Sequence, residues 1–437
     1  MTTTPRMRGL ASCTILALLL TAAVAAVAQE SEELPNTREE ALRRQREEKR
    51  KTVRPYVPNR IEEELLRIDK AENPSVFDLN WKGFYPRVAW PSRGSGAALG
   101  ARYWQRDFWG PLDAAGAAFY SLYGYQHYDI QLGLMPHKGS RIPQRSWRGD
   151  ELYEIGDVKP GFPRFPLFAT FRYRYLPQED FYGLGPEASL EDRTTYLQEE
   201  TRAYLRTGLQ FTKNFVWIVE GGYQWNSLGP GTSSSYPTTD VVFDDAGAPG
   251  LASPPDYVRF STQLFFDFRD EPGNPHKGWM LALIGERFLD RSEDAFSFDR
   301  IGFDARGFLP LGSPQRILAL RAALLGDHAE EEGRVPFFMQ ESLGGSHTLR
   351  GFDSFRFRGE RIEIYQIEYR WEPTTFWELA VFTDAGSAAR EGSAFEGLEW
   401  DYGFGMRFKT YRDVVLRFEI AFSNETTRYY IRGSTSF

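Results

Sequence analysis

From about Phe84 to Phe437 the chain repeats one pattern, segments of roughly ten residues in which apolar and polar side chains alternate, separated by turn-forming residues. Successive side chains of a strand point to opposite faces, so alternation predicts strands with one apolar and one polar face. The period is clearest late in the chain. Tyr402, Phe404, Met406 and Phe408 alternate with Gly403, Gly405, Arg407 and Lys409, and Val414, Leu416, Phe418, Ile420 and Phe422 are set against Arg417, Glu419 and Ser423. Earlier, Val258, Phe260, Leu264, Phe266 and Phe268 oppose Arg259, Gln263, Asp267 and Arg269. Sixteen segments follow this rule, at 84–91, 97–107, 113–123, 125–135, 167–177, 200–212, 215–228, 256–270, 278–290, 297–310, 315–327, 358–372, 376–387, 398–410, 413–424 and 427–437. They predict an all-β fold, a 16-stranded antiparallel transmembrane β-barrel with lipid outside and a polar interior.

Connection lengths test that reading, because outer-membrane barrels pair short periplasmic turns with longer extracellular loops. With the N-terminus on the periplasmic side, the inner turns include 212–214, 271–277, 310–314, 372–375 and 410–413, all short. The outer loops include 178–193, 229–255 with a Gly/Ser/Pro tip, and 328–358. An even strand number returns the terminal aromatic, Phe437, to the periplasmic side. One connection breaks the rule: Pro136 to Pro166 should be a periplasmic turn yet is long, basic and proline-rich, so it is either an insertion or a fault in the register.

Composition changes the picture in three ways. Beyond the first thirty or so residues no run of eighteen apolar residues occurs, which excludes a helical membrane protein but not a barrel, whose strands are half polar. The 34 Phe, 22 Tyr, 11 Trp and 40 Gly among 437 residues suit a barrel, and the net charge of −8 argues against nucleic acid as a partner. Met1 to Gln29 reads as an export signal, with Arg6 and Arg8 before an apolar run from Gly9 to Val24 and Ala26-Val27-Ala28 as the cleavage site. Leu10-Ala11-Ser12-Cys13 is the alternative, a lipoprotein box. Cleavage after Ala28 would remove Cys13, the only cysteine. The chain thus divides into a signal peptide at 1–28, a short charged, partly helical periplasmic arm at 29–76 and an outer-membrane barrel at 77–437. The arm is either a solvated tail or a helix that docks a periplasmic partner through Leu65, Leu66 and Ile68.

One outer loop stands out for its chemistry. Gly344-Gly345-Ser346-His347-Thr348-Leu349-Arg350-Gly351-Phe352 holds three glycines and one arginine and lacks alternation, so it reads as a shaped loop. Four other stretches accompany it: Phe181-Tyr-Gly-Leu-Gly185, Asp267-Phe-Arg-Asp270 with Pro275 and Gly278 downstream, Phe382-Thr-Asp-Ala-Gly386, and Tyr402-Gly-Phe-Gly-Met-Arg407. In this order and spacing the five stretches resemble the bacterial surface antigen superfamily, the BamA/TamA type of outer-membrane assembly barrel. The chain departs from that pattern in its arm, which is too short for even one POTRA domain, the periplasmic module the family usually repeats.

The resemblance implies that the loop folds back into the lumen, with Gly344, Gly345, Leu349, Arg350, Gly351 and Phe352 as its motif. It also implies that Arg350 meets Asp384, which is flanked by Phe382 and Gly386. The physics agrees, since a guanidinium in a space poor in water needs a partner and its planar fork suits a carboxylate. The bland alternative is that Arg350 merely joins other inward charges such as Arg172, Arg174, Arg202, Arg206 and Arg300. A second candidate is the seam between first and last strands, where Pro86 and Pro91 lack backbone donors and Gly433 permits a kink close to Phe437. There the prolines either weaken the seam or only mark strand ends. The five histidines, His127, His137, His276, His328 and His347, lack ligand spacing, so no metal, cofactor or catalytic residue is expected and the chain does not read as an enzyme. The expected activity is assisting insertion or translocation of proteins or lipids at the bacterial outer membrane, with membrane lipid and protein or lipid clients as partners. A passive pore and a structural or docking barrel are the alternatives.

Overall fold

The computed structural model of the chain describes residues 60, 63, 83–89, 95–135, 166–212, 214–271, 273–292, 295–331, 333–390, 397–409 and 414–432. Two compact units emerge, residues 1–67 and 68–437. In the first, the described Arg60 and Glu63 are helical and exposed. The expected export signal, the rest of the arm, the connection at 136–165, and Pro91, Gly433 and Phe437 of the expected seam fall outside the described residues.

The second unit is built from strands β1 (Phe84–Ala89), β2 (Ala98–Trp109), β3 (Leu112–Ser121), β4 (Gln126–Leu134), β5 (Leu167–Phe181), β6 (Thr194–Thr212), β7 (Phe215–Pro230), β8 (Tyr257–Asp267), β9 (Gly278–Asp290), β10 (Phe298–Pro310), β11 (Arg316–Ala329), β12 (Glu341–Leu343), β13 (Phe357–Gly359), β14 (Arg361–Trp371), β15 (Trp377–Ala389), β16 (Glu399–Lys409), β17 (Val414–Phe422) and β18 (Thr427–Arg432). All but β12 and β13 lie in one sheet, each pairing with its neighbours in chain order, and every described pair is antiparallel. β12 and β13 pair only with each other, inside the connection from β11 to β14. In this unit the one described helix is a single turn, Thr239–Val242.

Alternation along the strands sorts side chains as their chemistry requires. Phe171, Leu205, Phe260, Ile301, Val381 and Phe404 are exposed on one face. Arg172, Glu200, Glu220, Arg300, Asp304, Arg321, Glu368, Asp384 and Arg407 are buried on the other. A sheet whose exposed face is oily and whose covered face is charged inverts the usual order of a protein in water, and suits a strand set with lipid on its outer side. Most long connections lie at one end of the strands (182–193, 231–256, 330–360) and most short turns at the other (213–214, 268–277, 311–315, 372–376), but the long connection between β4 and β5 lies at the short-turn end, as the sequence pattern placed it.

Three local readings need correction. β5 runs on to Phe181 and β6 begins at Thr194, beyond the expected limits of 177 and 200. The alternation fades there because a register shift between Leu176 and Glu179 interrupts the ladder. In addition, the inner face turns apolar, with Phe181 and Tyr196 buried against Phe337 and Phe338 from the 330–340 loop. Val414 is buried rather than exposed with Phe418, next to the register shift at Phe408 and Lys409 of the neighbouring strand.

Candidate functional site

The connection from β11 to β14 does not stand out into solvent. Its residues 334–353 are almost all buried, so the segment lies against the charged inner face of the sheet. Its first part joins an aromatic cluster of Phe181, Tyr196, Tyr257, Phe288, Phe298, Phe337 and Met339. Its second part is the glycine-rich motif, whose shape comes from its own bonds. The hydroxyl of Thr348 donates to the Gly344 carbonyl at 3.0 Å and accepts the Gly344 N–H at 2.9 Å, closing a five-residue ring. Gly344 has φ +108° and lies so close to the Asp353 carbonyl that a side chain there would collide with it. Only glycine combines that backbone with that approach.

The ring presents its backbone to three different strands. The carbonyls of Ser346, His347 and Thr348 accept from Arg417 of β17 (3.2 Å), Arg321 of β11 (3.0 Å) and Gln366 of β14 (2.9 Å). Buried carbonyls demand partners, and here long inward side chains supply them. Leu349 and Phe352 enter an apolar cluster with Leu343, Phe357, Ile362, Ile364 and Ala388.

Arg350 points the other way, into charge. Its Nε and Nη2 donate to the two carboxylate oxygens of Asp384 at 2.7 and 2.8 Å, a forked pair. Its Nη1 donates to Glu368 at 2.9 Å and to Glu419 at 3.1 Å. The guanidinium carbon sits 3.3 Å from the centre of the Phe382 ring. All four of these partners, like Arg350 itself, are almost completely removed from solvent. Arg350 thus has a specific seat and does not belong to a loose set of inward charges. Arg407 extends the network, with Nη2 2.6 Å from Glu368 and Nη1 2.9 Å from Glu378.

Spacing explains the neighbouring motifs. Phe382, Asp384 and Gly386 are alternate residues of β15 and share the inner face, and each meets the loop in a different way. Phe382 covers the guanidinium, Asp384 grips it, and Gly386 leaves room for Leu343 and Leu349, whose side chains would lie 3.0 and 3.5 Å from a methyl placed there. Gly403, opposite Phe382 in β16, has no space for a side chain because the Phe382 ring fills it. Gly351 is equally enclosed, with Asp401 and Ser423 within 2.6 and 3.0 Å of where its Cβ would be.

The two remaining stretches act as clips. Gly185, at the end of Phe181 to Gly185, donates its N–H to the Arg358 carbonyl at 2.8 Å and so pins the β12–β13 ribbon. In the Asp267 to Asp270 turn, Arg269 forks onto Asp267, and Asp270 accepts the N–H groups of Glu271, His276 and Lys277. That turn carries His276 to 2.8 Å from Glu372 of the β14–β15 turn.

At the expected seam the structure describes Pro86, opposite Ala101 in the ladder. The Trp104 N–H bonds the Gly83 carbonyl, so odd-numbered residues of β1 bond to β2 and even-numbered ones turn their backbone groups to the open edge. Pro86 therefore removes a donor from that edge and not from the β1–β2 ladder. Among the described residues no register joins β1 to β18.

The structure brings Arg350 together with the expected Phe382, Asp384 and Gly386 region of β15 and adds Glu368, Glu419, Gln366 and Arg407, which the sequence did not single out, to the same seat. Each of these four is a polar residue at an inward position of a strand, a feature shared with many other inward charges.

Comparison with known proteins bears on this geometry. A family model described as the Omp85 superfamily domain matches residues 164–437, more than half of the chain. The chain belongs to the Omp85 superfamily. The BamA-like resemblance of its motifs is thereby accounted for, and among the described residues of this Omp85 chain no POTRA domain is found. The fold is similar to that of BamA from Haemophilus ducreyi lacking POTRA domains 1–3, with a TM-score of 0.56 and 15% identity over 81% of this chain and 70% of that one. CdiB from Escherichia coli aligns at a TM-score of 0.47 and 11% identity over 85% of this chain and 69% of that one. CdiB from Acinetobacter baumannii aligns at 0.45 and 12% over 78% and 56%. No curated protein matches the chain.

Proposed function

We propose that this Omp85 chain is a closed sixteen-stranded barrel of the bacterial outer membrane that assists insertion or translocation of proteins or lipids, with the Arg350 loop seated in its lumen. The reading rests on one observation above all, the complete burial of Arg350 among Asp384, Glu368 and Glu419. A loop that only decorated a pore would gain little from three carboxylates gathered on one guanidinium, because burying them is costly unless the arrangement is satisfied throughout. The oily outer face supports a lipid setting. Pro86 supports a weakened seam, because a missing donor at that edge is a bond the last strand cannot make, and in hydrocarbon an unmade bond costs several kcal/mol. Outer-membrane lipid and protein clients are the partners this reading requires, and no step of it calls for catalysis.

Two measurements on protein reconstituted in phospholipid vesicles test it. Insertion of an unfolded outer-membrane β-barrel client should proceed faster with the wild type than with Arg350→Ala or with empty vesicles. Planar-bilayer recordings should show small, flickering current. A large steady current together with no effect on client insertion would favour a passive channel and overturn the proposal.

A further inference from the structure

Beyond the Arg350 seat, the loop is tied a second time, to the last hairpin of the sheet. The connection from β17 to β18 is a tight turn in which the Ser423 N–H bonds the Thr426 carbonyl at 3.0 Å, and the Ser423 hydroxyl receives the N–H groups of Glu425 and Thr426. The same hydroxyl donates to the Gly351 carbonyl at 2.8 Å. Arg356, six residues after Arg350, sets Nε 3.0 Å from both Glu425 oxygens and Nη2 2.8 Å from Oε1. Asp353 pairs with Arg428 of β18.

The ties continue on the far side of the loop. Arg193 lies 3.8 Å from Asp353 and forks onto Asp180 at the end of β5. Arg356 also donates to the Ala188 carbonyl at 2.8 Å. The loop segment 351–356 therefore bridges the outer ends of β5 and β6 to those of β17 and β18. These charges are partly shielded, with the Arg356 and Glu425 side chains 6% and 15% exposed, so the pair is screened less than a surface pair.

We propose that Asp353, Arg356, Glu425 and Arg428 are positioning residues that lock the motif loop to the β17–β18 hairpin, so that the terminal strand and the loop shift together. Over its described residues, Thr427 to Arg432, β18 pairs with β17. Beyond that ladder, the Asp353–Arg428 pair ties β18 itself to the loop, and the Arg356–Glu425 pair and the Ser423 bond to Gly351 tie the turn before it. The use of such coupled motion in handling a client rests on the proposed function; the lock itself does not.

Hydrogen exchange on the full chain in phospholipid vesicles tests the lock. Glu425→Gln should raise exchange several-fold in two separate stretches, 344–356 and 427–432, with β5 to β11 unchanged. Asp353→Asn, at a more exposed site, should do the same more weakly. The double exchange Arg356→Glu with Glu425→Arg should bring both stretches back toward wild-type protection. Faster exchange confined to 423–432, with 344–356 at wild-type protection in both single variants, would overturn the proposal. Client insertion is read separately: its absence in a wild type whose exchange responds as described counts against the function and leaves the lock standing.

Discussion

The Phe382 ring occupies the space that a side chain on Gly403 would need, and from there its centre lies 3.3 Å from the Arg350 guanidinium carbon. Two motif residues on adjacent strands thus act through one contact. Gly403→Ala would push a methyl against the ring and against the Ile420 carbonyl. Overpacking of this kind costs about 1 to 3 kcal/mol. Urea unfolding of the folded protein, followed by its gel mobility with and without heating, should register that loss, and limited proteolysis should cut nearer residue 350. A variant as stable and as resistant as the wild type would show that the ring has room to move.

Arg350→Ala should be the most damaging single change in the loop. It takes the forked cation from Asp384 and one of several cations from Glu368 and Glu419, which keep Arg407, and breaking a buried pair by removing one partner costs about 3 to 5 kcal/mol. Asp384→Asn should cost less, because Arg350 retains two carboxylates. Arg350→Lys should fall between them, since an ammonium cannot fork onto Asp384. Denaturant midpoints rank the three, and equal midpoints for alanine and asparagine would refute the shared seat.

The assignment of faces is testable with one arginine. Phe404 lies mid-strand on the exposed face of β16, and Phe404→Arg should cost about 2 to 4 kcal/mol in a bilayer. Trp400→Arg, near the strand end, should cost about 0 to 1 kcal/mol. Folding yields into vesicles measure the difference, and a reversed order would place the membrane elsewhere on the sheet.

The inner turns carry a pH-dependent tie. His276 is drawn above its ordinary value of 6.5, chiefly by its hydrogen bond with Glu372, with burial opposing. For Glu372 burial pushes upward, yet the hydrogen bonds from His276 and Lys409 outweigh it and hold the carboxyl low. A histidine raised on folding stabilises fully below its unfolded value and loses that contribution as pH rises through its folded value. The stability gap between wild type and His276→Asn should therefore be widest below the ordinary value of 6.5 and narrow as the pH rises through the histidine's raised value. A gap independent of pH would mean that the histidine never carries charge there.

The strands and the loop's anchor were legible in the sequence for different reasons. Alternation exposed the strands because lipid and polar surroundings demand opposite chemistry at successive positions, as at Phe404 and Gly405. It failed where both sides are covered by protein, as at Phe181 and Tyr196, where the inner face turns aromatic. Arg350 and Asp384 could be paired by motif and by the cost of a lone buried guanidinium. Glu368 and Glu419 could not, because nothing local tells one inward carboxylate from another until register brings them to the same height. The ties from Arg356 to Glu425 and from Asp353 to Arg428 were equally silent, since those side chains look like ordinary charged loop residues.

Thr348 closes on Gly344 across four positions, whereas the contacts that hold Arg350 reach across 18 to 69 residues and that from Gly351 across 72. Short closures lose little chain entropy and form quickly; long ones wait for distant strands to arrive. The Gly344–Thr348 ring can therefore close before the strands that hold Arg350 have come together, so the seat receives a turn whose shape is already set.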